Sequence, residues 1–250
     1  MPGRMEMSKT NRTESGVATI EFALTSLLWV PLLLGTLVYG AELIRAMQAV
    51  QVARDVSNLY AGGMTFSTSP NLPNDATNRA LIARLGKELN LQTSGGSGLI
   101  ILTTIKFISQ RECDTLTSSG VTCTNLAKWV VAQRSTIGDT SLMTSSRFTT
   151  DPMPAADFDD GGNVVSATIT NAGVTYTYPV YLTDNALKLK STFNLLTIAT
   201  DGSGYPLVDA NKLPVGYGAG TSAYLVEASF RSTPFPPFRN NAGIYVVTLF

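Results

Sequence analysis

From Phe22 to Ala41 the chain runs for 20 positions without a charged residue. That is about the length an α-helix needs to cross the hydrocarbon core of a bilayer. Glu21 stands just at the mouth of this run and Gly16 just ahead of it, in Glu14-Ser15-Gly16-Val17-Ala18-Thr19-Ile20-Glu21-Phe22. A carboxylate in such a segment costs about 2.5–3.5 kcal/mol at the bilayer centre and less near the interface. A plain anchor has no use for it. A cut after Gly16 would make Val17 the new amino terminus and Glu21 the fifth residue, one helical turn in.

The apolar run passes without a turn into an amphipathic stretch. Glu42, Arg45, Gln48, Gln51, Asp55 and Asn58 recur at spacings of three and four and define one wet helical face. Leu43, Met47, Val50, Ala53 and Tyr60 stand opposite, and Gly62-Gly63 supplies the stop. A single helix from Val17 to Ala61 would be about 68 Å long, with Pro31 as its expected bend. The division expected from these features is a leader over 1–16, a membrane helix over 17–41, an amphipathic helix over 42–61 and a globular domain over 62–250. Arg4, Lys9 and Arg12 precede the run and Arg45 and Arg54 follow it. This slight excess, with the amino terminus added, favours an N-terminus inside and residues 42–250 outside.

Composition removes several functions. Lys plus Arg number 18 and Asp plus Glu number 18, so no basic field exists to hold nucleic acid. Histidine is absent, which takes away the commonest general base and the commonest metal ligand. Cys113 and Cys123 are the two cysteines. They fall short of a four-ligand zinc site, and in an exported domain they read as a disulfide worth about 2–3 kcal/mol. No serine–lysine pair, nucleotide loop or Cys-x-x-Cys arrangement appears, so no catalytic residue and no cofactor are assigned.

The domain reads as α+β. A helix is expected from Asp75 to Leu89, capped by Asn74 or Asp75, with Ala80, Leu81, Leu85 and Leu89 on one side and Gly86 as a weak point. Strands are expected at 99–109, 128–133, 164–170, 174–182, 221–231 and 244–250. Asn171-Ala172-Gly173 marks a hairpin. Helix first and strands later suggest an antiparallel sheet that covers the tail of the long helix. Asp157, Asp159 and Asp160, in Asp157-Phe158-Asp159-Asp160-Gly161-Gly162-Asn163, are weak calcium candidates. Thr168 occupies the place of the closing glutamate, and a solvated loop is the preferred reading. Phe235-Pro236-Pro237-Phe238 reads as a loop packed over its own core.

Gly16, Glu21 and Phe22 together resemble the prepilin peptidase site of type IV pilins. Tyr39-Gly40, Arg45-Ala46, Gln48-Ala49, Ala53-Arg54 and Tyr60-Ala61 resemble the corresponding pairs in the TadE/TadF-like minor pilins, or pseudopilins, of the tight-adherence pilus. Val226-Glu227-Ala228-Ser229-Phe230, with Pro234, loosely resembles the family's final strand pair. The likeness covers about 45 N-terminal residues and a C-terminal fragment, while 62–220 align to nothing. Pro31 stands farther from the glutamate than is usual in the family.

The resemblance implies a pilin-like fold and cleavage between Gly16 and Val17. It implies assembly through Glu21 and Phe22, with other pilin subunits, the prepilin peptidase, the inner-membrane assembly platform and the membrane as partners. It places the protein in a bacterial inner membrane as a single pass, with a cytoplasmic leader and a periplasmic domain, and with incorporation into an extracellular pilus. Glu21 would lie one turn from the new Val17 amine, so that a charge pair rather than a lone charge would be buried; the alternative is an interfacial glutamate that snorkels to the headgroups in an uncleaved anchor. Two rivals remain: a membrane-anchored or secreted periplasmic binding domain, and a membrane-anchored enzyme with its site in 62–220. Against the secreted form, the apolar run exceeds the usual 7–15 residues of a signal peptide and no good Ala-x-Ala site follows.

Overall fold

The helical period that begins around the apolar run is carried by one helix, α1 (Asn11–Ala61), which passes through Pro31. The structure is a computed structural model. It describes residues 11–64, 66, 75–91, 95–116, 119–142, 146–149, 153–190, 222–231 and 244–249. The expected cap Asn74, most of the leader, Pro234 and the stretch Phe235–Phe238 lie outside the described residues. The chain divides into two units, Met1–Ala46 and Met47–Phe250.

In the first unit α1 presents large apolar side chains to its surroundings, among them Ile20, Leu24, Leu28, Leu33 and Leu37, all exposed. The helix is long and apolar enough to cross a membrane. In the second unit Ala49, Val52, Ala53, Val56, Ser57 and Tyr60 form its buried stripe. This corrects the apolar side expected from sequence: Leu43 and Met47 are exposed, Met47 at 65%. The reason is size. Ala49, Ala53 and Ser57 recur every fourth residue, and such short side chains let a helix lie close on a sheet. Ser57 meets its own polar need by donating to the Ala53 carbonyl at 2.6 Å.

Beneath this stripe lies a four-stranded antiparallel sheet. Its strands are β1 (Gly98–Phe107), β2 (Trp129–Gly138), β5 (Ser222–Phe230) and β6 (Ile244–Leu249), in the order β2-β1-β5-β6. Ile100 and Leu102 of β1 and Val226, Ala228 and Phe230 of β5 share one core with the α1 stripe, as the period of two requires. Ile105, Ala223 and Leu225 make a second core with Leu189. β1 is buried along nearly its whole length, which explains its unbroken run of Ile, Leu and Thr.

The first half of β2 is apolar and visible in sequence. The strand continues through Arg134, Ser135 and Thr136 to Gly138, where polar residues conceal it. A register shift at Thr104/Ile105 separates partners Gln133 and Val131. The extra residue, Ala132, turns its carbonyl to the Val164 N–H at 3.0 Å.

The expected helix at 75–89 divides into α2 (Asp75–Leu85) and a short 3-10 turn (Lys87–Leu89). Ile82 and Leu89 are its buried residues, whereas Leu81 and Leu85 are partly exposed. A Cβ on Gly86 would lie 2.5 Å from a Leu91 side-chain atom, so Gly86 fits the break. β3 (Ser166–Asn171) and β4 (Val174–Pro179) form a separate two-stranded sheet. Their two-residue turn has positive φ at both Ala172 and Gly173, the type I′ pattern that matches hairpin twist. β4 ends earlier than expected because Pro179 is followed by a 3-10 turn over Val180–Leu182.

Candidate functional site

The cleavage and docking residues expected from sequence all lie on α1. Gly16 and Val17 are both helical, so α1 shows no break at the expected cut. Nothing lies within 4 Å of the position a Gly16 Cβ would take. Packing among the described residues does not require glycine there, although glycine costs a helix interior about 1 kcal/mol relative to alanine. Val17 is 57% exposed and Phe22 74% exposed. Glu21 is exposed as well. Val17 and Glu21 are four apart on one helix and therefore share a face.

Cys113 and Cys123 form a disulfide with a Cα–Cα separation of 5.5 Å. Cys113 belongs to α3 (Gln110–Asp114), a short helix absent from the sequence-based expectation. Its signal was present: Ser109 followed three residues later by Glu112 is a capping-box pattern. The Ser109 N–H donates to Glu112 Oε2 at 2.9 Å, and the Ser109 hydroxyl donates to the same oxygen. Lys106 Nζ lies 3.3 Å from Glu112 Oε1. Burial pushes the Glu112 carboxyl up, but the Ser109 hydrogen bonds and the Lys106 ammonium outweigh it and hold the group below its usual range. For Lys106, burial lowers the ammonium, and Tyr181 and Glu112 together more than offset that.

The three aspartates considered for calcium have separate surroundings. Asp159 Oδ1 accepts from the Asn163 N–H at 2.8 Å, and the Asn163 amide reaches both carboxylate oxygens at 3.3 Å. Asp159 thus closes its own turn. Gly162 within it has φ +74°, and a Cβ there would fall 2.2 Å from the Arg134 carbonyl oxygen. That close approach lets Arg134 donate its N–H to the Gly162 carbonyl at 2.7 Å. Asp157 instead meets Asp184: burial and that second carboxylate raise it above the ordinary range. Asp160 is exposed on the turn. Among the described residues no group of three or more His, Cys, Asp or Glu is placed to hold a metal ion.

One polar cluster escaped sequence reasoning. Glu227, in the middle of β5, is 1% exposed. It accepts from the Ser146 hydroxyl at 2.6 Å, the Arg147 N–H at 3.2 Å and the Tyr245 hydroxyl at 2.5 Å. Arg147 stacks over the Tyr245 ring at 4.3 Å. Burial first, and Glu227 second, push the Tyr245 phenol upward, so it stays a donor. The signal was a lone carboxylate in a strand otherwise suited to burial, and such a group needs internal partners. Glu227 thereby fixes the 146–149 segment and β6 to the sheet.

No protein-family model, no curated protein and no solved structure matches this chain.

Proposed function

We propose that the chain is a minor pilin, or pseudopilin, of a tight-adherence type IV pilus, made as a precursor and cleaved after Gly16. One observation carries the reading: an exposed glutamate lies one helical turn beyond Val17, which follows a glycine that packing among the described residues does not need, at the head of an outward-facing apolar helix. Cleavage requires local unwinding of α1 at Gly16–Val17, which glycine eases. The new Val17 amine and Glu21 then neutralise each other, within one chain or between neighbouring subunits, and the pair sets axial register.

Before assembly the apolar helix resides in the inner membrane, with the leader cytoplasmic and the domain periplasmic. On joining other pilins it exchanges lipid for helix contacts at small apolar cost. The partners are the prepilin peptidase, other pilin helices and the inner-membrane assembly platform. The subunit acts in pilus initiation, at the tip or at the base, and so in cell adhesion, without catalysis or cofactor.

Mass spectrometry of the protein from its native membrane tests processing: a mature chain beginning at Val17 is expected, and one still beginning at Met1 overturns it. Glu21→Ala tests register separately. The expected product is cleaved and folded but no longer co-purifies with other pilins, and unchanged piliation would sink the mechanism.

A further inference from the structure

The disulfide stands beside the foot of the β3–β4 hairpin rather than inside the core shared by α1 and the sheet. Cys113 and Cys123 pack with Leu116, Leu182, Tyr178 and Tyr181, and Tyr178 belongs to β4. The two residues after Cys123 grip the turn that follows β4. Thr124 and Asn125 donate their N–H groups to the Leu182 carbonyl at 3.1 and 3.3 Å. The Thr124 hydroxyl donates to the Thr183 carbonyl at 2.5 Å. The Asn125 amide donates to the Tyr181 and Asp184 carbonyls at 2.8 and 2.6 Å. Within the bridged loop, a Cβ on Gly120 would lie 3.3 Å from the Asn171 amide nitrogen at the hairpin turn. The bridged segment therefore meets the hairpin at both ends.

The hairpin's other ties lie just before β3, where the Val164 N–H donates to the Ala132 carbonyl at 3.0 Å and Arg134 donates its N–H to the Gly162 carbonyl at 2.7 Å; neither reaches the strands themselves. Its ladder pairs only β3 with β4, and a two-stranded sheet by itself is marginal in water. Its outer positions Ser166, Thr168, Thr170, Thr175 and Thr177 are all exposed, so that face is largely open. Ile169, Tyr176 and Tyr178 alternate with them and are half-buried.

We infer that the Cys113–Cys123 disulfide is a local conformational control on the β3–β4 hairpin: oxidised, it presents the hydroxyl-rich face in a fixed place, and reduced, it releases the hairpin while the four-stranded sheet stays folded. The two contact sets explain the separation. Among the described residues the disulfide cluster and the α1 core share none, the disulfide cluster reaching the four-stranded sheet only through Val130 of β2, and proteins open locally in separate cooperative units. The inference does not depend on the helix entering a pilus.

Hydrogen exchange on the full chain in detergent micelles tests it, before and after treatment with a water-soluble phosphine. The phosphine takes up oxygen from water to become its oxide, and the disulfide becomes two thiols. Peptides from 166–179 should exchange at least tenfold faster after reduction, while those from 98–107 and 222–230 change less than twofold. Equal acceleration in all three would make the disulfide a global brace and overturn the inference. So would an unchanged hairpin. A Cys113→Ser/Cys123→Ser double variant should reproduce the reduced pattern without reductant, and global loss of protection in that variant counts against the inference as well.

Discussion

The two stretches of α1 obey opposite rules. Up to Met47 the large side chains point outward, with Leu27 and Leu28 at 76% and 68% exposure. From Ala49 to Tyr60 the buried positions are dominated by small ones, and Ala49, Ala53, Val56 and Ser57 have no exposed surface. Among the described residues no partner covers the first stretch; the second shares its core with β1 and β5. The charges that begin at Glu42 already separate them in sequence. Side-chain size sharpens the contrast, because close helix–sheet packing favours Ala and Ser, whereas an outward surface tolerates Leu and Phe.

The sharpest way to break this contrast is to place the same charge in each stretch. Val56→Asp buries a carboxylate in the apolar core that also holds Ile100 and Val226, and an unfolding cost of several kcal/mol is expected. Thermal unfolding of the full chain in micelles, followed by near-UV circular dichroism, should show the domain melted or its midpoint sharply lowered. Leu28→Asp should leave that midpoint unchanged and instead reduce membrane insertion, by about 2.5–3.5 kcal/mol on insertion scales. Equal midpoints for the two variants would abolish the distinction.

A smaller change sharpens the size argument. Ala53→Leu keeps the stripe apolar but overfills it, and about 1–3 kcal/mol of destabilisation is expected. Leu37→Ala, which makes the outer stretch smaller, should change domain stability by less than about 0.5 kcal/mol. Urea titration of both variants checks the pair. If Ala53→Leu is neutral, the helix does not lie as close to the sheet as its small residues imply.

Much of this arrangement was legible in the sequence, and the failures have physical causes. The uncharged run, the α1 terminus at Gly62-Gly63, the hairpin at Asn171-Ala172-Gly173, β5 and β6 were all readable because each follows from local pattern or turn chemistry. The apolar face of the 42–61 helix was right at Ala53 and Tyr60 and wrong at Leu43 and Met47, because these outweigh Ala49 and Ser57 on any hydrophobicity count, while packing distance depends on volume. The second half of β2 was hidden because Ser135 spends its hydroxyl on the Phe66 carbonyl, a contact across 69 positions. The Glu227 cluster was hidden for the same reason: its partners come from Ser146, Arg147 and Tyr245, distant in sequence.

Tyr60 closes the buried stretch, and its hydroxyl, unlike that of Ser57, reaches across to the sheet. It lies 2.6 Å from the Thr104 hydroxyl and donates to the Gln133 amide oxygen at 3.3 Å. Burial pushes the phenol up to about 12, so it remains a donor throughout the ordinary pH range. Tyr60→Phe keeps the ring packing against Tyr224 and Phe66 and removes this link between helix and bulge. About 1 kcal/mol should be lost, with no change in slope between pH 5 and 9. A loss that varies across that window would mean the phenol titrates there.

The smallest expected effect tests whether the helix contact and the disulfide corner are energetically separate. Glu112 is held below its ordinary range in the folded chain. A carboxyl with a depressed folded value contributes stability that is fully present above its unfolded value and is lost as pH falls through the folded one. Lys106 supplies part of that depression, with Ser109 supplying the larger part through hydrogen bonds. Lys106→Met should therefore cost about 1 kcal/mol or less at pH 7, and its gap from the unmodified chain should close as the solution is acidified from pH 6 towards pH 2. Ser109→Ala should show a larger gap that closes over the same interval. Neither should alter hydrogen exchange in residues 49–60, because among the described residues the stripe and this corner belong to separate clusters. Slowed or quickened exchange there would join the two regions into one cooperative unit and remove the basis for treating them apart.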